Sequence, residues 1–235
     1  MSVGGKFSLI GFDADDTLWE HADFYRQAEQ RLINLLAGYG DDGEITKKLR
    51  EVELRNLPLY GFGVKGFTLS MIETTIELTG DRAPLTLIKG IISSGHELLK
   101  HPIELLPHVA ETLAELSGIY RLVLITRGDL FDQERKLEES GLRKYFEAVE
   151  IVSDKNVGTY RRISERHAKR AGRAMMVGNS LKSDVIPALE AGYWGVHVPQ
   201  PITWVVEHFE TPISTPRFRR INNLGELVQL IGTLD

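Results

Sequence analysis

The sequence predicts an α/β protein, in which a parallel sheet with crossover helices carries an all-helical insertion after its first strand. Three observations lead to this fold class. Five short apolar runs have the length and composition of buried strands. Helical periodicity separates the last four runs, as in parallel sheets with crossover helices. The stretch from Glu20 to His101 shows helical periodicity and no convincing strand.

The predicted core consists of the five strands and four helices between or after them. The strands are expected at Phe7–Phe12, Leu122–Ile125, Ala148–Val152, Ala174–Val177 and Gly195–Val198. The helices are expected after Pro107, from Asp129 to a stop at Gly141, from an N-cap at Thr159 to Ala171, and near Asp184–Ala191.

The insertion contains four segments whose apolar residues recur at helical spacing. One example is Ile45, Leu49 and Val52, which share a helix face. The helices of the insertion could simply cover the sheet, but four helices are too many for one crossover. We therefore expect an inserted helical cap over residues 19–104, with residues 1–18 and 105–235 forming the core domain.

Composition excludes several classes of function. The formal charge of -5, from 28 basic and 33 acidic residues, gives no reason to expect a nucleic-acid partner. Without cysteine there is no disulfide, thiolate metal site or cysteine nucleophile. The N-terminal residues lack the layout of a signal peptide, and no apolar stretch approaches the roughly 20 residues of a membrane span. We expect a soluble, cytoplasmic protein with no membrane partner.

Polar residues gather where the predicted strands end. The segments that follow the first four strands are Asp13-Ala14-Asp15-Asp16-Thr17, Thr126-Arg127-Gly128-Asp129, Ser153-Asp154-Lys155 and Gly178-Asn179-Ser180, with Asp184 shortly after the last. Each segment alone is equally consistent with a turn or a helix cap. Because function gathers at the carboxyl ends of parallel strands, their occurrence together and in order predicts an active site.

This set of groups suits phosphoryl transfer. A carboxylate such as Asp13 can attack phosphorus and form an acyl phosphate. Its charge repels a phosphate dianion, so Lys155 and a hard divalent cation are expected to neutralise the site. Thr126 can donate a hydrogen bond to the phosphate, and Asp15 can protonate the leaving oxygen and later deprotonate water.

Magnesium is the expected cofactor, because the available ligands are oxygens. Asp13 and Asn179 are expected to supply side-chain oxygens, Asp15 its backbone carbonyl, and Asp184 a direct or outer-shell contact. Arg127 is placed with Thr126 and Lys155 among the expected phosphate-binding residues, although a salt bridge to a neighbour would also account for it.

These segments resemble the haloacid dehalogenase superfamily, in particular its phosphatase branch. The matching motifs are Phe12-Asp13-Ala14-Asp15-Asp16-Thr17-Leu18, Ile125-Thr126, Lys155 and Gly178-Asn179-Ser180-Leu181-Lys182-Ser183-Asp184. The resemblance implies a Rossmann-like core, magnesium dependence, an aspartyl-phosphate intermediate and a helical cap over the active site. Two residues depart from the family pattern: Asn179 replaces the commoner Asp, and Asp16 replaces the commoner Gly.

Several alternatives share this fold. A 2-haloacid dehalogenase uses the same nucleophile but typically lacks an acid at the position of Asp15. A phosphomutase differs only in passing the phosphoryl group to a second hydroxyl, which no motif reports. An inactive binding protein of the same fold is supported by Asn179 alone. The substrate is expected to be a small phosphorylated metabolite, but neither its identity nor the oligomeric state can be read from the sequence.

Overall fold

The computed structural model describes residues 7–80, 82–168, 171–202 and 215–234. The chain divides into two compact units. The first contains Met1–Ala22, Ile103–Arg127 and Gln133–Asp235, and the second contains Asp23–Pro102 and Gly128–Asp132. Within the described ranges, no helix combines the length and the apolar character that a membrane crossing requires.

The first unit is built on a parallel sheet, and its described strands lie in the order β3-β2-β1-β4-β5-β6. The strands are β1 Leu9–Phe12, β2 Leu122–Arg127, β3 Ala148–Val152, β4 Ala174–Gly178, β5 Trp194–His197 and β6 Phe218–Arg220. The five predicted strands are confirmed with small shifts at their ends. The sixth was missed because a three-residue segment containing two arginines forms no apolar run.

Side chains alternate between the two faces of this sheet. Ile10 and Phe12 of β1 join one apolar cluster, which also contains residues of α5 (Val109–Ser117), α6 (Leu130–Glu139) and α9 (Leu227–Leu234). Leu9 joins the opposite cluster, with residues of α7 (Val157–His167) and α8 (Ile186–Glu190). The central strands β1, β2 and β4 are therefore buried on both faces, which is why they appear in the sequence as continuous apolar runs.

The helix predicted from Thr159 to Ala171 was wrong at both ends, because α7 spans Val157–His167, whereas the helix expected near Asp184–Ala191 is confirmed as α8. The N-cap of α7 is Asn156, whose side chain accepts a hydrogen bond from the backbone N–H of Thr159, so Thr159 lies inside the helix. Both residue types cap helices well, and the sequence alone does not separate them. Ahead of α8, a π-helical turn spans Leu181–Val185, so Pro187 falls in the first turn of a short α-helix, where proline is tolerated.

The second unit contains four helices: α1 Ala22–Leu36, α2 Asp42–Tyr60, α3 Val64–Thr79 and α4 Leu85–Leu99. Asp41 and Glu44 form a capping box at the start of α2. Ile45 and Leu49 are buried as predicted and pack in a cluster with Leu32 and Met71. The unit thus has an apolar core of its own.

Candidate active site

The predicted polar residues lie at the carboxyl edge of the sheet, where the strand order changes direction. From β1 the chain adds β2 and β3 on one side, and it then returns to place β4 on the other side of β1. In open α/β sheets, such a switch point is where ligands bind. Asp13 follows β1 directly, and Asn179 follows β4.

Asp13, Lys155 and Asp184 form a buried charged cluster. The Lys155 ammonium donates to Asp13 Oδ1 and, at 2.7 Å, to Asp184 Oδ1. Burial and the neighbouring Asp184 carboxylate raise the pKa of Asp13 to about 7, against the opposing effect of Lys155. Burial alone would lower the pKa of Lys155, but the two carboxylates outweigh it and raise that pKa. One ammonium therefore serves two buried carboxylates.

Thr17 connects the loops after β1 and β4. Its Oγ1 lies 3.3 Å from Asp13 Oδ2 and 3.3 Å from Asn179 Oδ1, and it accepts a hydrogen bond from the Asn179 backbone N–H at 3.0 Å. A carboxylate oxygen and an amide oxygen thus approach one hydroxyl. Asp16, between Asp15 and Thr17, adopts a φ of 57°, which aspartate tolerates better than most residues.

Asp15 is held by a separate group of donors. Trp19 Nε1 donates to Oδ1 at 2.7 Å, and Lys136 Nζ lies 3.0 and 3.3 Å from the two carboxylate oxygens. The Nδ1 atom of His21 lies 3.6 Å from Oδ1. Burial would raise the pKa of Asp15, but His21, Lys136 and Trp19 outweigh it and hold the pKa well below its usual range.

Gln133 joins Asp15 to the predicted phosphate-binding hydroxyl. Its Nε2 lies 2.6 Å from Thr126 Oγ1 and 3.3 Å from Asp15 Oδ2. Gln133 and Thr126 are 2% and 1% exposed, so water does not compete for these hydrogen bonds. The amide thus connects the end of β2 with the loop that follows β1.

The loop after β4 positions Asp184. The Ser180 side chain caps the following turn by accepting from Ser183 N–H at 3.1 Å, and Ser180 N–H donates to Asp184 Oδ2 at 3.0 Å. A Cβ at position 178 would lie 2.6 Å from the Asp184 Cβ, which leaves room only for glycine. Gly178 therefore permits Asp184 to approach the strand end.

A family model for haloacid dehalogenase-like hydrolases matches residues 7–192, which include every predicted site residue. The chain belongs to this family. The predicted Rossmann-like fold and the prediction of a hydrolytic enzyme are thereby confirmed.

This hydrolase is similar to characterised and structurally solved proteins along most of its length. It is 29% identical over 205 residues to a glyceraldehyde 3-phosphate phosphatase of Methanothermobacter thermautotrophicus, covering 83% of this chain and 86% of that one. A haloacid dehalogenase-like family hydrolase from Xanthomonas campestris superimposes with a TM-score of 0.89 at 41% identity, covering 99% and 94% of the two chains. A 2-haloacid dehalogenase from Pseudomonas syringae pv. Tomato DC3000 reaches 0.65 at 21% identity, covering 97% and 100%.

The oxygen ligands of the hydrolase suit a hard divalent cation. Among the described residues, no three carboxylate, imidazole or thiolate side chains converge as a metal cluster. The available set is instead two carboxylates, Asp13 and Asp184, and the amide of Asn179. Two buried carboxylates that share one ammonium leave a negative charge, which a cation would compensate. The Asp15 carboxylate faces its own donors, so this residue can add only its backbone carbonyl.

The sequence-based prediction missed Gln133 and Lys136, which contact Asp15. A signal was present, because Gln133 precedes the buried Leu137 by four residues and so shares its helix face. Leu130 lies seven residues before Leu137, a spacing that places both on one helix face, yet Leu130 is 56% exposed. Arg127 lies at the end of β2 with its Nη1 3.7 Å from Asp154 Oδ1, and its assignment to phosphate stays a prediction.

Proposed function

We propose that this hydrolase is a magnesium-dependent phosphatase that cleaves a small phosphomonoester through an aspartyl phosphate on Asp13. The observation that supports this most is the placement of two carboxylates, Asp13 and Asp15, in different environments two residues apart. Asp13 pairs with the ammonium of Lys155, whereas Asp15 is held by Trp19, Gln133 and Lys136. Separate environments allow one carboxylate to act as nucleophile and the other as acid and base.

The reaction would proceed in two displacements at phosphorus. A carboxylate oxygen of Asp13 forms a bond to phosphorus while the bond to the ester oxygen breaks. Asp15, which is ionised in the free protein and would take up a proton when the anionic substrate binds, gives that proton to the departing oxygen. Asp15, now a carboxylate, removes a proton from water as the water oxygen attacks the same phosphorus. The bond from Asp13 to phosphorus breaks, which releases inorganic phosphate and restores both carboxyl groups.

The chain's own residues would bind and orient the phosphoryl group. Lys155, Thr126 and Arg127 carry the donors that we assign to its oxygens. Asp13, Asn179 and the Asp15 carbonyl would hold magnesium, with Asp184 as a direct or outer-shell ligand. The bound cation would neutralise charge that otherwise repels an anionic substrate from two buried carboxylates.

A curated relative supports the substrate class that we propose. The relative is named for glyceraldehyde 3-phosphate, a small phosphomonoester. We propose a small phosphorylated metabolite here as well. We also propose that residues 19–104 act as a cap that selects the leaving group.

Asp15 favours a phosphatase over a 2-haloacid dehalogenase. A departing halide is a weak base and needs no proton. The carboxyl group of Asp15, which three side chains hold in place, would therefore have no function in halide displacement. The similarity to the Pseudomonas dehalogenase, at 21% identity, concerns the fold alone. A phosphomutase would use the same two carboxylates, and it would differ by returning the phosphoryl group to an organic hydroxyl.

The first test is the release of p-nitrophenol from p-nitrophenyl phosphate, with magnesium and then with excess chelator. We expect turnover that the chelator abolishes. Asp13→Asn should abolish turnover, and Asp15→Asn should lower kcat by about 10²–10⁴. Asp42→Asn makes the same chemical change at an exposed residue and should leave the rate unchanged.

Three results would contradict the proposal. Full activity in Asp13→Asn would exclude covalent catalysis at that residue. Halide release from a 2-haloacid, with no turnover across a panel of metabolite phosphates, would favour the dehalogenase instead. Transfer of phosphate from a bisphosphorylated donor to a second hydroxyl, without free phosphate, would indicate a phosphomutase.

A further inference from the structure

Gln133 is a buried amide that no step of the proposed mechanism uses. It lies on α6 and is 2% exposed. Its Nε2 atom approaches two groups that the mechanism does use, Thr126 Oγ1 at 2.6 Å and Asp15 Oδ2 at 3.3 Å. A primary amide nitrogen carries two hydrogens, so one nitrogen can serve both acceptors.

The orientation of this amide follows from its neighbours. In the structure, Trp19 and Lys136 donate to Asp15 at 2.7 and 3.0 Å, so the oxygens of this carboxyl group act as acceptors toward their neighbours. Reversing the amide would bring its oxygen against these accepting oxygens and leave two acceptors facing each other. Gln133 must therefore present its nitrogen to Asp15, and the same nitrogen faces Thr126.

This orientation fixes the direction of the hydrogen bond at Thr126. A hydroxyl has one hydrogen, and Thr126 Oγ1 accepts from Gln133, so that hydrogen remains for another acceptor. The phosphate oxygens that we assign to Thr126 are such acceptors. Without Gln133, the hydroxyl would be free to turn its hydrogen toward the protein.

We propose that Gln133 is a positioning residue, which keeps the Thr126 hydrogen available to the phosphoryl group and orients the carboxylate of Asp15. This inference rests on the proposed phosphatase function and deepens it. Gln133 itself does not touch the reacting atoms. It acts by setting one donor and one acid in place before the substrate binds.

Two substitutions separate hydrogen-bond direction from packing. Gln133→Glu keeps the shape of the side chain but replaces its donors with acceptors, so Thr126 would donate to the new carboxylate and Asp15 would be repelled. Gln133→Met keeps the length and lacks both donors and acceptors. If the direction of the hydrogen bonds matters, Gln133→Glu should lose more activity than Gln133→Met. If packing alone matters, Gln133→Glu should lose less activity than Gln133→Met. Glu134→Gln, a reversed change at the exposed neighbouring residue, is the control.

The kinetic test compares phenyl phosphate with p-nitrophenyl phosphate. The more basic phenolate depends more on protonation, so a misplaced Asp15 should affect phenyl phosphate most. For Gln133→Glu we expect kcat to fall about 100-fold on phenyl phosphate and several-fold less on p-nitrophenyl phosphate. The kcat of Gln133→Met on phenyl phosphate should lie between those of Gln133→Glu and the wild type. A kcat of Gln133→Glu within twofold of the wild type, or above that of Gln133→Met, would overturn the inference.

Circular dichroism and thermal melting decide whether each variant is folded. If Gln133→Glu does not fold, the methionine variant gives the answer. A larger loss on phenyl phosphate than on p-nitrophenyl phosphate supports the inference, and equal losses refute it.

A binding measurement keeps this inference separate from the proposed function. If the wild type cleaves no phosphomonoester, the proposed phosphatase activity is wrong. Titration calorimetry with inorganic phosphate and magnesium then tests Gln133 by itself. Loss of the Thr126 donor should weaken phosphate binding about 10-fold in Gln133→Glu and not in Glu134→Gln. Equal affinity in the wild type and Gln133→Glu would refute the inference.

Discussion

Lys155→Met should destabilise the folded protein as well as stop catalysis. The ammonium of Lys155 contacts Asp13 and Asp184, and the three side chains are 4%, 9% and 1% exposed. The substitution keeps most of the apolar stem and removes the charge. It leaves two buried carboxylates with no cation between them, at positions that water does not reach.

The magnitude follows from the cost of breaking a buried ion pair. Removing one partner of such a pair costs about 3–5 kcal/mol, because the remaining charge stays buried without compensation. We expect the free energy of unfolding to fall by about this amount, a large share of the ~5–15 kcal/mol that typical proteins possess. Adding Asp13→Asn removes one of the stranded charges and should recover part of the loss without restoring activity.

Urea unfolding in the presence of chelator measures this effect, since a bound cation would otherwise replace the lost charge. Tryptophan fluorescence reports on the first unit through Trp19 and Trp194. Lys144→Met removes an exposed ammonium and is the control. If Lys155→Met unfolds at the same urea concentration as the wild type, the charge balance that we assign to the site is wrong.

Three further predictions concern the glycine behind the site, the metal ligands and the helical unit. Gly178→Ala should lower kcat by about tenfold or more with an unchanged fold by circular dichroism, because its Cβ would displace Asp184. Asn179→Asp should lower the half-saturating magnesium concentration by about tenfold, because it adds a negative charge to the proposed metal ligands. Burial and Glu29 raise the pKa of Glu53 to about 7 from 4.5. Glu53→Gln should therefore add about 1–3 kcal/mol to the free energy of unfolding above that pH, and nothing below the unfolded pKa.

Each of these predictions has an opposite result. Wild-type turnover in Gly178→Ala would mean that Asp184 can move without loss. For Asn179→Asp, a half-saturating magnesium concentration equal to that of the wild type would remove Asn179 from the proposed ligands. For Glu53, the sign follows from a folded-state pKa above the unfolded one, which makes ionisation unfavourable in the fold. Equal urea midpoints of the wild type and Glu53→Gln at about pH 8 would show that Glu53 is well solvated.

The sequence predicts the sheet well, because strands that are buried on both faces appear as continuous apolar runs. It fails where local chemistry is ambiguous. Asn156 and Thr159 are both good N-caps, and only the fold selects between them. Proline disfavours the interior of a helix, yet α2 continues through Pro58 to Tyr60, so the tertiary packing of that helix outweighs the local preference of proline.

The main side chains of the candidate site could be named from the sequence, because each follows a recognisable apolar run. Gln133 and Lys136 were not named, although they lie within hydrogen-bonding distance of Asp15 and Gln133 shares a helix face with the buried Leu137. Polar residues on an amphipathic helix are usually assigned to its solvated face. These two residues are buried because α6 packs beside the end of β2. This is a tertiary contact that the spacing of residues along the chain does not predict.

The position of β1 in the sheet has a consequence for synthesis on the ribosome. Ile10 pairs with Leu122 on one side and Met175 on the other, so both of its neighbours are translated more than a hundred residues later. The four inserted helices are translated before either neighbour of β1. Within them, α2 packs on α3 and α3 on α4, and such contacts between consecutive helices favour early folding. The strand that precedes Asp13, the proposed nucleophile, is therefore among the first segments made, and both strands that pair with it are translated only after the helical unit.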